Sequence, residues 1–328
     1  MSPSRASPGC GASGARVARG MEAMRKALLW ASTNRWLSQR LPERPFVRRA
    51  VRKFMPGETL EDALGEAAGL REEGIPTLVT TLGENVETAE ETRESVAEYV
   101  RAMDLAEEMG LDLEVSIKPT HLGLDQDPEL AVENVGALAA RAEGHGTLWI
   151  DMEGSYYTEA TLSLYRAVRR RHVNVGLCIQ SYLRRTADDL ESLMEFGPRI
   201  RLVKGAYAEP AEIAFPDKRD VDESYLALAR RLVDHLGNGG DGFLGLGTHD
   251  PAMIGPLSAD AAAAGLDGSR FEIEMLYGIG RREQRRLVRN GTPLRVLISY
   301  GGAWFPWYMR RLAERPANIW FVARSMFR

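Results

Sequence analysis

Charged and polar residues recur in this sequence at one kind of position, the end of a short apolar run. Lys118 follows Glu-Val-Ser-Ile, Asp151 follows Leu-Trp-Ile, and Gln180 follows Leu-Cys-Ile. Arg201 and Lys204 lie in the run Ile-Arg-Leu-Val-Lys. A charge inside an apolar run is costly unless it is paired or hydrogen-bonded. The repetition of this pattern therefore indicates side chains that serve one polar site.

Three further residues extend the pattern. Thr248 and His249 follow Phe-Leu-Gly-Leu-Gly, and Glu274 lies within Glu-Ile-Glu-Met-Leu, where we interpret it as a partner for an arginine. An imidazole can also ligate a metal ion, but no cysteine or second histidine is near His249 in the sequence. Zinc sites need three or four such ligands, so the sequence disfavours zinc and predicts no metal site.

Structural roles compete with a chemical role for several of these residues. Lys118 could have a purely structural role as a buried lysine whose charge is paired with Asp151. Buried ion pairs are, however, weak evidence for stability. Gln180 and Thr248 could each satisfy the backbone of a loop. Such separate roles do not explain why so many apolar runs end in the same way, and the functional interpretation is favoured.

A second cluster of reactive residues lies near the C-terminus. Tyr308, Arg311 and Leu312 are spaced to share one face of a helix, with Arg310 beside them and Pro306 placed to begin it. Two adjacent arginines among aromatic residues suggest bidentate capture of a carboxylate or phosphate. The alternative is a pair of arginines on a solvated helix face.

The elements that must position these side chains are eight apolar runs bounded by Gly, Pro or polar residues, with helical periodicity between them. Regular alternation of strands and helices is typical of parallel α/β folds. The predicted strands are Ile75–Thr80, Leu113–Lys118, Thr147–Met152, Val173–Gln180, Ile200–Lys204, Phe243–Thr248, Phe271–Met275 and Leu294–Ser299, and the predicted helices are Glu87–Met109, Pro128–Glu143, Glu159–Arg171, Ala187–Phe196, Asp222–Leu236, Pro251–Ala264 and Arg281–Asn290.

Eight strands favour a closed (β/α)8 TIM barrel over a doubly wound sheet. A dinucleotide-binding sheet of the doubly wound type would show Gly-x-Gly-x-x-Gly after its first strand, where this sequence reads Thr-Leu-Gly-Glu-Asn-Val. In a barrel the carboxyl ends of all strands meet at one rim, which is where active sites lie. We therefore expect the polar strand-end residues at this rim.

The residues before the first strand have a different character. Residues 21–70 contain two or three helical patterns, expected outside the barrel or at its bottom, so that residues 21–328 form one barrel domain with a helical extension. Residues 1–20 are rich in Ser, Gly, Ala, Pro and Arg and lack an apolar segment. This composition predicts a disordered tail rather than a secretory signal.

Composition limits the class of function. The 42 basic and 46 acidic residues give a net charge of −4, which disfavours a nucleic-acid partner. No apolar run approaches the roughly 20 residues of a transmembrane helix. A cytoplasmic location is therefore expected, with peripheral membrane contact left open. Two cysteines cannot build a disulfide framework, and Cys178 in Val-Gly-Leu-Cys-Ile is interpreted as a small buried hydrophobe.

In combination, these motifs make the sequence resemble the proline dehydrogenase family from about residue 25 to the C-terminus. The resemblance implies a distorted (β/α)8 barrel whose final helix lies across the barrel mouth. It is carried by Lys-Pro-Thr at 118–120, Asp151, Gln180, Arg-Leu-Val-Lys-Gly-Ala-Tyr at 201–207, Thr-His at 248–249 and Tyr-x-Arg-Arg-Leu-x-Glu-Arg at 308–315.

The resemblance implies roles for individual residues. Asp151 and Arg201 would be active-site residues, with Arg201 near N5 of a flavin. Cationic side chains would hold the substrate carboxylate, and Leu276 and Tyr308 would pack on the substrate ring. The complete set of implied substrate contacts is Lys118, Leu276, Tyr308, Arg310 and Arg311, and the implied FAD contacts are Met152, Gln180, Lys204, Gly205, Ala206, Thr248 and His249.

The activity implied is oxidation of L-proline to Δ1-pyrroline-5-carboxylate by hydride transfer to FAD, with the electrons passed to a membrane quinone. In such enzymes the cofactor carries the redox chemistry and the protein orients the substrate. The sequence departs from the family at Leu297, where many members carry a tyrosine in strand eight. This departure leaves the shape of one pocket wall open.

Two other functions are compatible with the same residues. A lyase or aldolase barrel would use Lys118 or Lys204 as a Schiff-base nucleophile. A non-catalytic barrel would bind a small acid without turning it over. A bound oxidised flavin, which is yellow, would distinguish the proline dehydrogenase from both alternatives.

Removal of residues 1–20 is expected to leave the protein unimpaired, because the tail cannot bury enough apolar surface to offset the entropy of ordering. A chain that begins at Met21 should keep the melting temperature and the proline turnover of the full chain. A large loss of either would show that the tail docks on the folded protein.

Overall fold

The structure is a computed structural model that describes residues 51–83 and 86–314 and the single positions 28, 30, 34 and 40. The side chains of Arg310, Arg311, Ala313 and Glu314 are outside this description. The predicted tail and most of the predicted N-terminal helices also lie outside the described residues. The chain divides into a barrel unit, Arg52–Gly302, and a terminal unit formed by residues 1–51 and 303–328.

Eight parallel strands in sequence order form a closed barrel in the barrel unit. The first and last strands pair in register from Thr77 opposite Val296 to Thr81 opposite Tyr300, which closes the sheet. The predicted (β/α)8 architecture is therefore confirmed. The strands are β1 (Thr77–Thr81), β2 (Leu113–Ile117), β3 (Leu148–Ile150), β4 (Val175–Gln180), β5 (Arg199–Val203), β6 (Phe243–Gly247), β7 (Phe271–Leu276) and β8 (Leu294–Tyr300).

Helices alternate with these strands as the sequence predicts. Helix α1 (Leu60–Glu72) precedes β1 and belongs to the predicted N-terminal helical segment. One helix follows each of the first seven strands, and a last helix in the terminal unit follows β8. These are α2 (Ala89–Glu108), α3 (Pro128–Arg141), α4 (Thr158–Arg169), α5 (Thr186–Glu191), α6 (Lys218–Gly237), α7 (Pro251–Ala263), α8 (Arg281–Arg289) and α9 (Trp304–Glu314).

Several helix boundaries differ from the prediction, as at α6, which begins at Lys218 rather than Asp222. Two of the differences have identifiable reasons. Helix α2 begins at Ala89 rather than Glu87, because the Thr88 hydroxyl accepts from the Glu91 N–H while the Glu91 carboxylate accepts from the Thr88 N–H. The helix predicted over 187–196 ends at Glu191, and a separate 3-10 turn follows over Met194–Phe196. That turn ends at Gly197, whose φ of +54° is left-handed.

The two faces of the barrel strands differ in polarity. Successive side chains of a strand point to opposite sides of the sheet. On one side, Val115, Leu177, Leu202 and Ile273 join a buried apolar core together with side chains of the surrounding helices. The alternate residues line the barrel interior, where the apolar side chains of Leu78, Trp149 and Phe243 pack together. The polar and charged residues among them are Glu114, Ser116, Arg199, Arg201, Glu272, Glu274 and Arg295.

At the amino-terminal end of the barrel, interior charges form a compensated cluster. Arg295 Nε lies 3.0 Å from Glu272 Oε1 and 3.5 Å from Glu114 Oε2. Glu114 also accepts from the indole Nε1 of Trp149 at 2.6 Å and from the Thr147 N–H at 3.0 Å. Burial raises the pKa of Glu272 to about 8, although Arg295 opposes this shift.

Replacing Glu272 by Gln should make stability less dependent on pH. The folded pKa of Glu272, about 8, lies above its ordinary value of 4.5, so between these values the folded protein holds a proton that the unfolded chain has lost. Unfolding free energy therefore falls as pH rises from 5 to 8, by up to about 1.4 kcal/mol per pH unit from this group. Urea unfolding at pH 5, 6.5 and 8 should show a shallower decline for Glu272→Gln. Parallel profiles would contradict this assignment.

Candidate active site

The carboxyl ends of the strands bring the polar residues of the barrel unit to one rim, as expected. Gln180 is the last residue of β4, and Lys118, Asp151, Lys204 and Thr248 each stand one residue beyond the end of a strand. Arg201 lies two residues before the end of β5 and, like Ser116 and Glu274 which it contacts, points into the barrel. The remaining predicted residues of this unit end a strand or follow within three residues of one: Met152, Gly205, Ala206, His249 and Leu276.

Arg201 is the buried centre of this site. Its Nε donates to Glu274 Oε2 at 2.6 Å, and its Nη1 donates to Ser116 Oγ at 2.9 Å and to Asp151 Oδ1 at 3.1 Å. Ser116 Oγ in turn donates to Asp151 Oδ1 at 2.8 Å. The guanidinium carbon lies 4.5 Å from the centre of the Trp149 ring. The interpretation of Glu274 as a partner for an arginine is confirmed.

Opposing effects determine the charges of this cluster. Burial lowers the pKa of Arg201, but the Glu274 and Asp151 carboxylates raise it, and the net shift is upward. Burial raises the pKa of Glu274, which Arg201 opposes. Arg201 Nη2 has no hydrogen-bond partner among the described residues. A buried donor without a partner is costly, so this nitrogen is available to a bound group.

Gln180 combines a structural contact with a free acceptor. Its Nε2 donates to the backbone oxygens of Met152 at 3.1 Å and Glu153 at 3.4 Å. The amide nitrogen of Gln180 therefore has the structural role considered from the sequence, because it donates hydrogen bonds to backbone oxygens of a loop. Its Oε1 is buried and has no partner in the described part of the chain, which leaves one acceptor at the rim for a ligand.

The segment after β5 is held tightly. Lys204 Nζ donates to Asp222 Oδ1 at 2.5 Å and lies 3.5 Å from Asp250 Oδ2. The next residue, Gly205, has a φ of +115°, and a Cβ atom there would overlap the Tyr182 ring. A glycine is therefore required where this turn passes the aromatic ring.

His249 and Thr248 organise the rim between β6 and β7. His249 Nε2 accepts from the Leu276 backbone N–H at 2.8 Å, which requires Nε2 to be unprotonated. Thr248 Oγ1 accepts from the Asp250 N–H at 3.2 Å. Thr248 thus has the backbone role considered from the sequence. Across the described residues, no cluster of three or more His, Cys, Asp or Glu side chains is arranged to hold a metal ion.

Lys118 is anchored to β1 rather than to Asp151. Its Nζ donates to Thr81 O at 2.8 Å and to Thr80 Oγ1 at 3.2 Å. Lys118 and Asp151, both within the described part of the chain, form no ion pair with each other. The structural pairing considered for these two residues is therefore wrong, because Asp151 is taken by Arg201.

A buried histidine adjoins Lys118. Burial, reinforced by the Lys118 charge, lowers the pKa of His121 to about 4. The ring is therefore neutral at physiological pH, and its Nδ1 lies 3.3 Å from the Tyr99 hydroxyl.

Three residues beside the site were missed in the sequence: Ser116, Trp149 and Tyr182. Ser116 and Trp149 each stand two residues before a polar strand-end residue, and this spacing places them on the same inward face. This spacing is the sequence signal for both residues. Tyr182 lies in the loop after β4, and its ring packs against Gly205 in the turn after β5. This contact is visible only in the tertiary structure.

Two apolar assignments can be compared with the structure. Cys178 is buried, and burial raises the pKa of its thiol to about 12, so the interpretation as a small buried hydrophobe is confirmed. Leu297 lies half-buried on β8 and packs against the interior cluster of Leu78, Trp149 and Phe243.

The terminal unit contains the predicted final helix. Helix α9 begins at Trp304, two residues before the predicted start at Pro306. Proline is tolerated there because the first N–H groups of a helix have no intrahelical partner. Trp304 and Tyr308 are buried, with ring centres 6.3 Å apart in an edge-on arrangement. Arg310 and Arg311 belong to α9, and its placement across the barrel mouth stays a prediction.

Comparison with solved structures supports the fold. Proline utilization A from Bdellovibrio bacteriovorus, inactivated by N-propargylglycine, superposes with a TM-score of 0.73 at 21% identity, over 81% of this chain and 32% of that one. Proline utilization A from Corynebacterium freiburgense superposes with a TM-score of 0.67 at 20% identity. The match covers 94% of this chain and 34% of that one. This chain thus spans about a third of those larger proteins.

Sequence relatives extend the comparison. The chain is 35% identical over 306 residues to proline dehydrogenase 1 of Bacillus subtilis subsp. natto, covering 93% of this chain and 99% of that protein. It is 34% identical over 301 residues to the proline dehydrogenase of Deinococcus radiodurans, covering 87% and 95%. The family profile described as proline dehydrogenase matches residues 63–324. With a barrel rim built from the residues that carry the resemblance, this chain belongs to the proline dehydrogenase family.

Proposed function

We propose that this protein oxidises L-proline to Δ1-pyrroline-5-carboxylate with FAD as the oxidant. The observation that carries the proposal is Arg201, a buried cation at the barrel rim whose Nη2 has no partner among the described residues. Family membership supports the activity, since the relatives in Bacillus subtilis and Deinococcus radiodurans are named proline dehydrogenases.

The donors and acceptors at the rim fit a flavin. Arg201 Nη2 is a buried donor and Gln180 Oε1 a buried acceptor, and neither has a partner in the described part of the chain. A flavin presents hydrogen-bond acceptors and an N–H donor on its polar ring. Gly205, whose missing Cβ makes room for the Tyr182 ring, is proposed to contact the cofactor through its backbone. The other residues proposed to hold FAD are Met152, Lys204, Ala206, Thr248 and His249. When bound, FAD would accept the hydride from C5 of proline, and the ring nitrogen would release a proton.

The chain's own residues would bind and orient the substrate. Arg310 and Arg311, with Lys118, would hold the proline carboxylate through charge-assisted hydrogen bonds. Leu276 and Tyr308 would supply the apolar surface for the pyrrolidine ring. Fixing both ends of a small substrate limits its motion relative to the oxidant, which can lower the barrier substantially.

Arg201 and Asp151 would act at the reacting end of the substrate. A guanidinium already fixed by the protein stabilises negative charge that develops beside it without further reorganisation. Asp151, with 23% of its side chain exposed, is more accessible than the buried Glu274. Asp151 is therefore the carboxylate of this cluster that we place next to the substrate.

A membrane quinone is the electron acceptor we propose, with the protein in the cytoplasm and in peripheral contact with the membrane. In the described part of the chain, no helix combines the length and apolarity needed to cross a bilayer.

Aerobically purified protein should be yellow, should be bleached anaerobically by L-proline, and should regain its colour with a soluble quinone. A colourless protein that is trapped on Lys118 or Lys204 by borohydride and a carbonyl substrate would instead support the Schiff-base alternative.

FAD is expected to be held without a covalent bond. His249, the histidine among the proposed cofactor contacts, already uses Nε2 to accept from the Leu276 N–H. Acid precipitation should release all of the flavin into the supernatant, where its absorbance can be measured. Yellow colour that stays with the washed pellet would contradict this expectation.

Arg311→Met should raise the KM for proline while leaving flavin bound. Charge-assisted hydrogen bonds contribute about 1.5–3 kcal/mol each, so kcat/KM should fall by roughly ten- to a hundredfold. Arg310→Met should act in the same direction. The measurement is steady-state proline oxidation with an artificial electron acceptor, alongside the flavin spectrum.

The matched control for these variants is Arg286→Met. Arg286 is half-exposed on α8, where it pairs with Glu283, and this substitution should leave the proline kinetics unchanged. Normal kinetics in both the Arg310 and Arg311 variants would exclude their assignment to the carboxylate.

A further inference from the structure

We infer that Glu274 is the positioning residue that fixes Arg201 at the rim, and that Gly245 provides the space that Glu274 needs. The expected effect on catalysis rests on the function proposed above. The immobilisation of Arg201 rests only on contacts within this chain and can be tested without substrate.

The guanidinium of Arg201 is restrained on two edges and one face. Glu274 accepts from Nε at 2.6 Å, and Ser116 and Asp151 accept from Nη1 at 2.9 and 3.1 Å. The Trp149 ring lies against the planar face at 4.5 Å. Nη2 is the remaining nitrogen, and it has no partner among the described residues. A planar group held in this way can present only Nη2 to a ligand.

Inward-facing glycines create the room for this arrangement. A Cβ atom at Gly245 on β6 would overlap the Glu274 carboxylate at Oε1, and a Cβ atom at Gly176 on β4 would overlap the Trp149 ring. Neither glycine has a left-handed φ, so backbone conformation does not require glycine at either position. Space for the two groups that hold Arg201 is therefore the reason for glycine at these positions.

Glu274 is better suited to positioning than to contact with substrate. Its side chain is 3% exposed, compared with 23% for Asp151, and it makes the shorter ion pair to Arg201. Both side chains of this pair are almost completely buried, so solvent screens the attraction between them only weakly. Glu274 thus acts on the reaction through Arg201, whereas Asp151 is the carboxylate accessible from the rim.

The test compares Glu274→Leu with Glu274→Gln, which keeps an acceptor for Nε, and with Glu272→Leu as a matched control. Glu272 lies on the same strand, is equally buried and also pairs with an arginine, but its partner is Arg295. Hydrogen exchange of the Arg201 Nε–H, identified in ¹⁵N NMR spectra by its loss in Arg201→Lys, reports the immobilisation directly. Exchange should accelerate at least tenfold in Glu274→Leu and stay near the wild-type rate in the other two variants.

Kinetics of the FAD-loaded enzyme provide the second readout. Glu274→Leu should lower kcat for proline oxidation at least tenfold while KM changes less than threefold, since Arg201 is proposed to act on charge that develops in the transition state. Glu274→Gln should restore most of kcat. Gly245→Ala keeps every charge but displaces the carboxylate, so it should reproduce both effects in weaker form even if Glu274→Leu does not fold.

The outcomes separate the inference from the proposed function. Unchanged exchange in both Glu274→Leu and Gly245→Ala, or an equal kcat loss in Glu272→Leu, would overturn the positioning role. A wild-type protein without flavin or proline oxidation would overturn the proposed function. In that case the exchange measurement would still support or refute the immobilisation of Arg201 by Glu274.

Discussion

The barrel interior depends on one constraint, the burial of the Arg201 guanidinium. Removing a cation from water is costly unless opposite charges and hydrogen bonds replace the lost hydration. Glu274 and Asp151 supply the charges, Ser116 a further acceptor, and the Trp149 ring an electron-rich face. Breaking one member of such a cluster leaves an uncompensated charge, so these side chains must be regarded as one unit.

Trp149 connects the charges around Arg201 at the rim with the charges at the opposite end of the barrel. Trp149 contacts Arg201 through its ring and donates its indole N–H to Glu114 at 2.6 Å. Glu114 lies 3.5 Å from Arg295, which pairs with Glu272. A hydrogen bond from the indole to an anion makes the ring a better partner for a cation. The interior charges therefore form two compensated layers, and Trp149 contacts both of them.

Loops around the rim are also tied together, which keeps the strand-end residues in place. The loop after β5 pairs with the loop after β4 through Phe215 N–H to Tyr182 O at 2.8 Å and Arg184 N–H to Ile213 O at 3.0 Å. Glu209 in the same loop accepts from both the N–H and the hydroxyl of Ser155 after β3, at 2.8 and 2.6 Å. Rigid supporting contacts of this kind preorganise a site before ligand binds.

The sequence by itself determined the architecture and the rim of the barrel at which the polar strand-end residues meet. Apolar runs and helical periodicity are local properties, and they were sufficient to predict eight strands, the helices between them and a polar rim at the strand ends. The partners of the charged residues were not available in the same way. Arg201 contacts Ser116, which is 85 residues away, and Glu274, which is 73 residues away. Lys118 could equally have paired with Asp151. Only closure of the barrel decided these pairings, because the stagger between strands sets which inward side chains share a layer, and the space left by Gly176 and Gly245 sets which of them fit there.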